Sequence, residues 1–266
     1  MILAVVGMKR EAALLARVGV RALVAGRDSA ALSERLNVEM EGIAGLLSFG
    51  VAGGLDPSIK ASDLVVASGV LPSPLSPESP VRGLPPAPSG GPKQRSPKSP
   101  LSAESTRSAE SPLSPERPLS AESPDRVIGA DSAWRQRLAA ALPHARTGLV
   151  TGQGTPVSSR VDKAALFSAS GALACDMESH TVAAVAARHR LPFAVVRAVS
   201  DPAYRSLPAA AVAGFGADGE TDIAAVLRAL ARDPRQLPAL IRTGVEAEAA
   251  FRALGRAAEA IASTLP

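Results

Sequence analysis

The 266-residue chain carries 29 basic and 25 acidic side chains, a net charge of +4, with 46% hydrophobic and 20% charged residues. That is the make-up of a globular protein able to bury one large core. The basic residues are scattered rather than gathered in a stripe and only 3% of residues are aromatic, which speaks against a nucleic-acid-binding surface.

In chain order, Ile2–Val6 is an aliphatic run too short for a membrane span and without the basic leader of a secretory signal, so it is read as a first buried strand of a cytoplasmic protein. The turn Gly7–Arg10 follows, then a helix over Glu11–Arg17. Further aliphatic runs at Val20–Ala25, Ile43–Phe49 and Leu64–Ser68 predict strands covered on both faces. Phe49-Gly-Val-Ala-Gly-Gly-Leu55 reads as a glycine-rich turn after the third strand. It matches neither the dinucleotide fingerprint nor the Walker loop, but it would let backbone approach a ligand closely.

Residues 72–125 break the pattern. They hold 14 of the chain's 23 prolines and repeat Ser-Pro-Leu-Ser-Pro-Glu at 73–78 and 111–116. Such a segment has too little apolar surface to offset its ordering entropy, so a disordered insert without a part in the chemistry is expected. Residues 1–71 and 126–266 then make one domain. Its second part continues with a helix at Ser132–Leu142 carrying Trp134, a strand at Thr147–Val150, a helix at Met177–His189 with Val182, Val185 and Ala186 on one face, and a strand at Phe193–Val199. Alanine-rich helices at Asp222–Ala231 and Arg235–Ile261 complete it. Alternating strands and helices predict the α/β class, an open or barrel-like mixed sheet flanked by helices, with ligands beyond the carboxyl ends of the strands.

Three acidic residues fall at such places: Glu11 after the first strand, Glu178 at a helix start and Asp201 at the end of the Phe193–Val199 strand. Each also has a plain reading, respectively a solvated first-turn glutamate, a carboxylate favoured by the helix macrodipole and a turn residue before Pro202. The single cysteine, Cys175, excludes an intrachain disulfide framework and gives no zinc pattern. It reads as a small buried residue at a strand end. No metal site is expected.

In combination, Val5-Val-Gly-Met-Lys-Arg-Glu11, Gly50–Pro57 with Asp63–Ser68, Asp176-Met-Glu-Ser179 and Phe193-Ala-Val-Val-Arg-Ala-Val-Ser-Asp201 resemble the purine nucleoside phosphorylase and methylthioadenosine/adenosylhomocysteine nucleosidase superfamily. Phe49–Pro57, Asp176-Met-Glu-Ser-His180, Asp201-Pro-Ala203 and Arg235–Leu240 look closest to its hopanoid-associated branch, thought to remove adenine from adenosylhopane. The resemblance implies a single-domain phosphorylase/hydrolase-like fold that cleaves the N-glycosidic bond of a purine nucleoside. Asp201 would be the general acid at purine N7, and Glu11 would activate water. Met177 and Glu178 would hold the ribose, and Val51, Ala52, Gly53, Gln153 and Ser200 would line the base and nucleophile side.

Many phosphorylases hold phosphate with an arginine and a serine where this chain has Ser48 and Val51. This favours hydrolysis, with Arg10 the remaining candidate phosphate ligand and phosphate a co-substrate only in the alternative case. Thr155-Pro156 stands where nucleosidases often stack an aromatic on the base. The resemblance implies no other cofactor, a small-molecule nucleoside as partner, and a homo-oligomer. The competing readings are a methylthioadenosine/adenosylhomocysteine nucleosidase and an inactive nucleoside-binding adaptor.

Overall fold

The computed structural model describes residues 1–26, 29–72, 127–216 and 219–265; the Pro/Ser-rich insert lies outside the described residues. The strands are β1 (Ile2–Val6), β2 (Arg21–Val24), β3 (Gly45–Gly54), β4 (Leu64–Leu71), β5 (Ile128–Gly129), β6 (Arg146–Gly152), β7 (Ala174–Asp176) and β8 (Phe193–Asp201). β3 runs parallel to β8 and β8 antiparallel to β4. β4 and β7 each run parallel to β6, and β7 returns antiparallel to Gly53–Gly54 of β3. These pairings close a distorted five-stranded barrel. β1 and then β2 extend the sheet from the Gly45–Ser48 edge of β3, and β5 pairs with Gly69–Val70 of β4.

The helices are α1 (Lys9–Ala16), α2 (Ser29–Val38), α3 (Ser132–Ala141), α4 (Arg160–Ser170), α5 (Ser179–His189), α6 (Ala209–Ala213), α7 (Ile223–Arg232) and α8 (Leu237–Thr264). They cover both faces of the sheet. Along β1, Leu3 and Val5 join a cluster with Leu32 and Leu36 of α2 and Val182 and Val185 of α5. Ile2, Ala4 and Val6 join a second with Leu15 of α1, Trp134 and Leu138 of α3 and Leu254 of α8. Alternate side chains of a strand point to opposite faces, so a strand sandwiched between two helical layers needs an unbroken apolar run. That is why the aliphatic stretches of the sequence are strands.

Every expected strand and helix is present, with ends moved by a few residues. One expectation is corrected. Gly50–Gly54 is not a turn: β3 continues through it, paired with β8 as far as Gly53. Gly50 is required there because a Cβ would lie 2.5 Å from Glu11 Oε1 and 2.7 Å from Arg197 Nη1. Among the described residues no helix is long and apolar enough to cross a membrane.

Candidate active site

The carboxyl ends of β1, β3, β6, β7 and β8 meet around a cleft of about 860 Å³, counted out to its open mouth. Its floor is acidic. Glu11, Asp176, Glu178 and Asp201 all line it, and all four are buried.

Glu11 sits at the third position of α1, where its Oε2 accepts hydrogen bonds from the backbone N–H groups of Gly7 and Met8 at 2.9 Å each. Its Oε1 accepts from Val51 N–H of β3 at 2.8 Å. It therefore caps the helix, as a reciprocal capping glutamate does, while tying the β1 turn to β3. A carboxylate offers about four acceptor positions, so three backbone donors leave one for a ligand. Burial raises its pKa, against the lowering influence of the Arg197 charge and these N–H groups.

Asp176 ends β7 and organises the start of α5. Its Oδ1 accepts from the N–H groups of Glu178 (2.9 Å) and Ser179 (2.8 Å). Its Oδ2 accepts from the Ser179 hydroxyl and from Arg197 Nε at 2.8 Å. Arg197 lies inside β8 on the face it shares with Phe193 and Val195 and has no exposed surface. Its Nη2 donates to Ser48 Oγ at 2.6 Å and to Glu178 Oε2 at 3.2 Å. Paired with the Asp176 and Glu178 carboxylates, this guanidinium holds Glu178 at the cleft wall from behind. Burial pushes the Glu178 carboxyl up to about 7, Arg197 opposes that rise, and the nearby Asp176 and Glu11 charges add to it. Gly7 makes room for it, since a Cβ there would lie 2.8 Å from Glu178 Oε1.

Asp201 closes β8. Ser200 Oγ donates to its Oδ1 at 2.7 Å, and Lys163 Nζ of α4 reaches its Oδ2 at 2.5 Å. Burial raises its pKa while Lys163 and Ser200 lower it. Beside it, burial and the neighbouring Asp201 and Asp176 charges push the Cys175 thiol up to about 12. That thiol stays protonated and is no nucleophile.

Met177, Glu178, Val51, Ala52, Gly53, Gln153, Ser200, Glu11 and Asp201 thus share one cleft with Thr155 and Pro156. Arg10 does not. It points away to Glu248 of α8, at 2.5 Å, and stacks over Phe251 at 4.0 Å. Successive side chains of a helix are turned by about 100°, so with Glu11 facing the strand ends Arg10 is directed toward α8 instead. Ser48 is also withdrawn, bound to Arg197 beneath the cleft. No arginine or lysine lines the cleft among the described residues.

Two participants escape sequence reasoning. Arg197 had a visible signal, a lone cation inside the apolar run Phe193–Val199. Lys163 had a weaker one, standing three and four residues before Leu166 and Phe167 and so on their helical face.

The chain matches the family model of the phosphorylase superfamily over residues 3–232. No curated protein matches it in sequence. Among solved structures it is similar to the 5′-methylthioadenosine/S-adenosylhomocysteine nucleosidase of Helicobacter pylori with butyl-thio-DADMe-Immucillin-A, at TM-score 0.60 and 17% identity, covering 99% of this chain and 97% of that one. The corresponding nucleosidase of S. pneumoniae with a transition-state inhibitor gives TM-score 0.56 and 15% identity, covering 98% and 99%. A futalosine hydrolase mutant of Helicobacter pylori gives 0.54 and 16%, covering 91% and 98%.

Proposed function

Because the chain belongs to the phosphorylase superfamily, we propose that it hydrolyses the N-glycosidic bond of a purine nucleoside, an adenosine with a large apolar 5′ substituent such as adenosylhopane. The observation that carries hydrolysis is the charge of the cleft. Among the described residues five carboxylates line it, Glu11, Asp176, Glu178, Asp201 and Glu220, and the cations that meet them, Arg197, Lys163 and Lys9, are already paired. A phosphate dianion entering this floor would meet like charge and, among the described residues, no cation in the lining, whereas water meets a buried base.

The roles follow from position. Glu178, anchored by Arg197, accepts hydrogen bonds from the ribose hydroxyls, and Met177 packs on the sugar. The floor's negative charge stabilises the oxocarbenium character that develops at C1′ as the bond to N9 lengthens. Glu11 uses its remaining acceptor position to take a proton from the attacking water. Asp201 delivers a proton to purine N7, so the base leaves uncharged. Gln153, at the end of β6, presents its polar group to the base side. No cofactor enters these steps.

The preference for an apolar 5′ group is supported by Pro156, Val157, Leu207 and Phe215, which line the same cleft and are each partly exposed. A methylthioadenosine or adenosylhomocysteine nucleosidase is the alternative, favoured by the solved structures it resembles.

The test is release of free adenine from adenosine and a series of 5′-substituted adenosines of increasing apolar size, with and without phosphate. Release in phosphate-free buffer, rising with apolar 5′ size, is expected. Release that requires phosphate would overturn hydrolysis, and preference for methylthioadenosine would establish the alternative.

A further inference from the structure

Lys163 has no exposed surface, and its ammonium sits among four oxygens. Asp201 Oδ2 lies at 2.5 Å, the Pro202 and Arg205 carbonyls at 3.2 Å each, and the Asp201 carbonyl at 3.3 Å. The loop carbonyls clamp the head group over the 202–205 bend, so it cannot swing away from Asp201. Packing does not account for a charge at this place, because Leu166 one turn on already fills the cluster with Leu55 and Cys175. Desolvating an ammonium costs several kcal/mol.

We infer that Lys163 is a positioning residue that fixes the Asp201 carboxylate at the cleft and supplies the proton that Asp201 passes to the departing purine. In the empty site the pair is ammonium and carboxylate. As the C1′–N9 electron pair moves onto the base, one proton passes from Lys163 Nζ to Asp201 Oδ2 and on to purine N7. Water contributes hydroxide to C1′ and its other proton to Glu11. After the products leave, that proton returns through entering water to the Lys163 amine, so the sum is addition of one water across the bond.

The other groups facing the pair are the Cys175 thiol of β7, held protonated, and Asp176 beyond it. Ser200 donates to Oδ1, and the Arg205 guanidinium turns outward to Glu246 at 3.0 Å. None of them offers an ammonium in place of Lys163.

The inference rests on the reading of Asp201 as the group at N7, and the experiment separates the two. Base release is measured against pH for wild type, Asp201→Asn, Lys163→Met, Lys163→Gln and the Asp201→Asn/Lys163→Met double variant. Without Lys163 the reaction depends on Asp201 holding its own proton. Lys163→Met is therefore expected to keep activity within about threefold near pH 5.5 and lose at least tenfold near pH 8.5, the alkaline limb moving to lower pH. Lys163→Gln keeps a hydrogen bond but has no proton to give, and is expected to behave alike. In the Asp201→Asn background Lys163→Met should add nothing.

A loss equal at all pH values, a wild-type profile in Lys163→Gln, or additive losses would overturn the role of Lys163. An active Asp201→Asn would instead sink the reading of the site. Should the Lys163 variants not fold, infrared difference spectra of wild type against Asp201→Asn at pH 6 decide: a carboxylate band from Asp201 is expected, and a carboxylic acid band overturns the ion pair.

Discussion

At the scale of single residues, Glu178 carries two opposed demands. As the proposed ribose ligand it must be ionised, and as a buried group it resists ionisation, with its pKa pushed up to about 7 chiefly by burial. Raised above its ordinary 4.5, this group contributes most to stability at pH below 4.5, and that contribution is lost as pH rises through 7. The empty wild-type protein should therefore lose ground to Glu178→Gln as pH goes from 5 to 8, seen as a Tm difference that grows across this window. A shift of about 2–4 °C corresponds to each kcal/mol in a protein of this size. Catalysis runs the other way, and wild-type kcat/KM should fall below pH 7 as the carboxylate is lost. A Tm difference independent of pH would show that Glu178 is not held in this strained state. The same arithmetic explains why sequence alone could not rank the acidic residues: Glu11, Glu178 and Asp201 look alike as letters, and what distinguishes them is which cation or backbone donor stands behind each.

At the scale of elements, β3 passes so close under the site that its glycines are part of it. An alanine at Gly50 would press Cβ between Glu11 Oε1 and Arg197 Nη1, at 2.5 and 2.7 Å. Arg197 cannot retreat, being held by Asp176 and Ser48, so Glu11 must leave Val51 N–H. Gly50→Ala should destabilise the protein by about 1–3 kcal/mol and cut kcat at least tenfold. The matched control is Gly244→Ala in α8, where no atom lies within 4 Å of the added Cβ, and a gain of about 0.5–1 kcal/mol is expected. Equal effects from the two substitutions, in melting and in turnover, would refute the close-approach argument.

The long apolar strands and the alanine-rich C-terminal helices were legible because burial on two faces, or on one helical stripe, writes itself as periodicity. β5 and β7 were not, being two and three residues long and made by pairing rather than by composition. α4 was missed despite its Ser159 cap and left-handed Gly171 stop, signals that a chain-order reading for apolar faces passes over. Its Lys163 reads as a solvated lysine until the fold brings Asp201 to it. Arg10 shows the reverse error. With Ser48 and Val51 at the phosphate-binding positions that the resemblance implies, Arg10 is the remaining candidate phosphate ligand, whereas α1 directs it to Glu248.

At the scale of the whole molecule, the question is what residues 73–126 contribute to a domain built from the segments on either side. The chain enters that stretch from β4 and leaves it into β5, and those strands pair antiparallel, Gly69 opposite Gly129 and Val70 opposite Ile128. Leu71 and Val127 are therefore next in register across a hairpin, and a short turn spans the gap. Replacing 73–126 by a four-residue Asn-Gly-containing turn should leave both core clusters intact. Shortening the closed loop from about 54 to about 4 residues lowers its closure entropy cost by about 2 kcal/mol, so Tm should rise. Because the cleft is lined from the carboxyl ends of five strands and by Phe215, Gly216, Gly219 and Glu220, turnover on the best substrate of the series should stay within about threefold, a change of under 1 kcal/mol in the barrier. A drop of tenfold or more with an undiminished Tm would mean that 73–126 reaches the substrate, and the insert would then belong to the site rather than beside it.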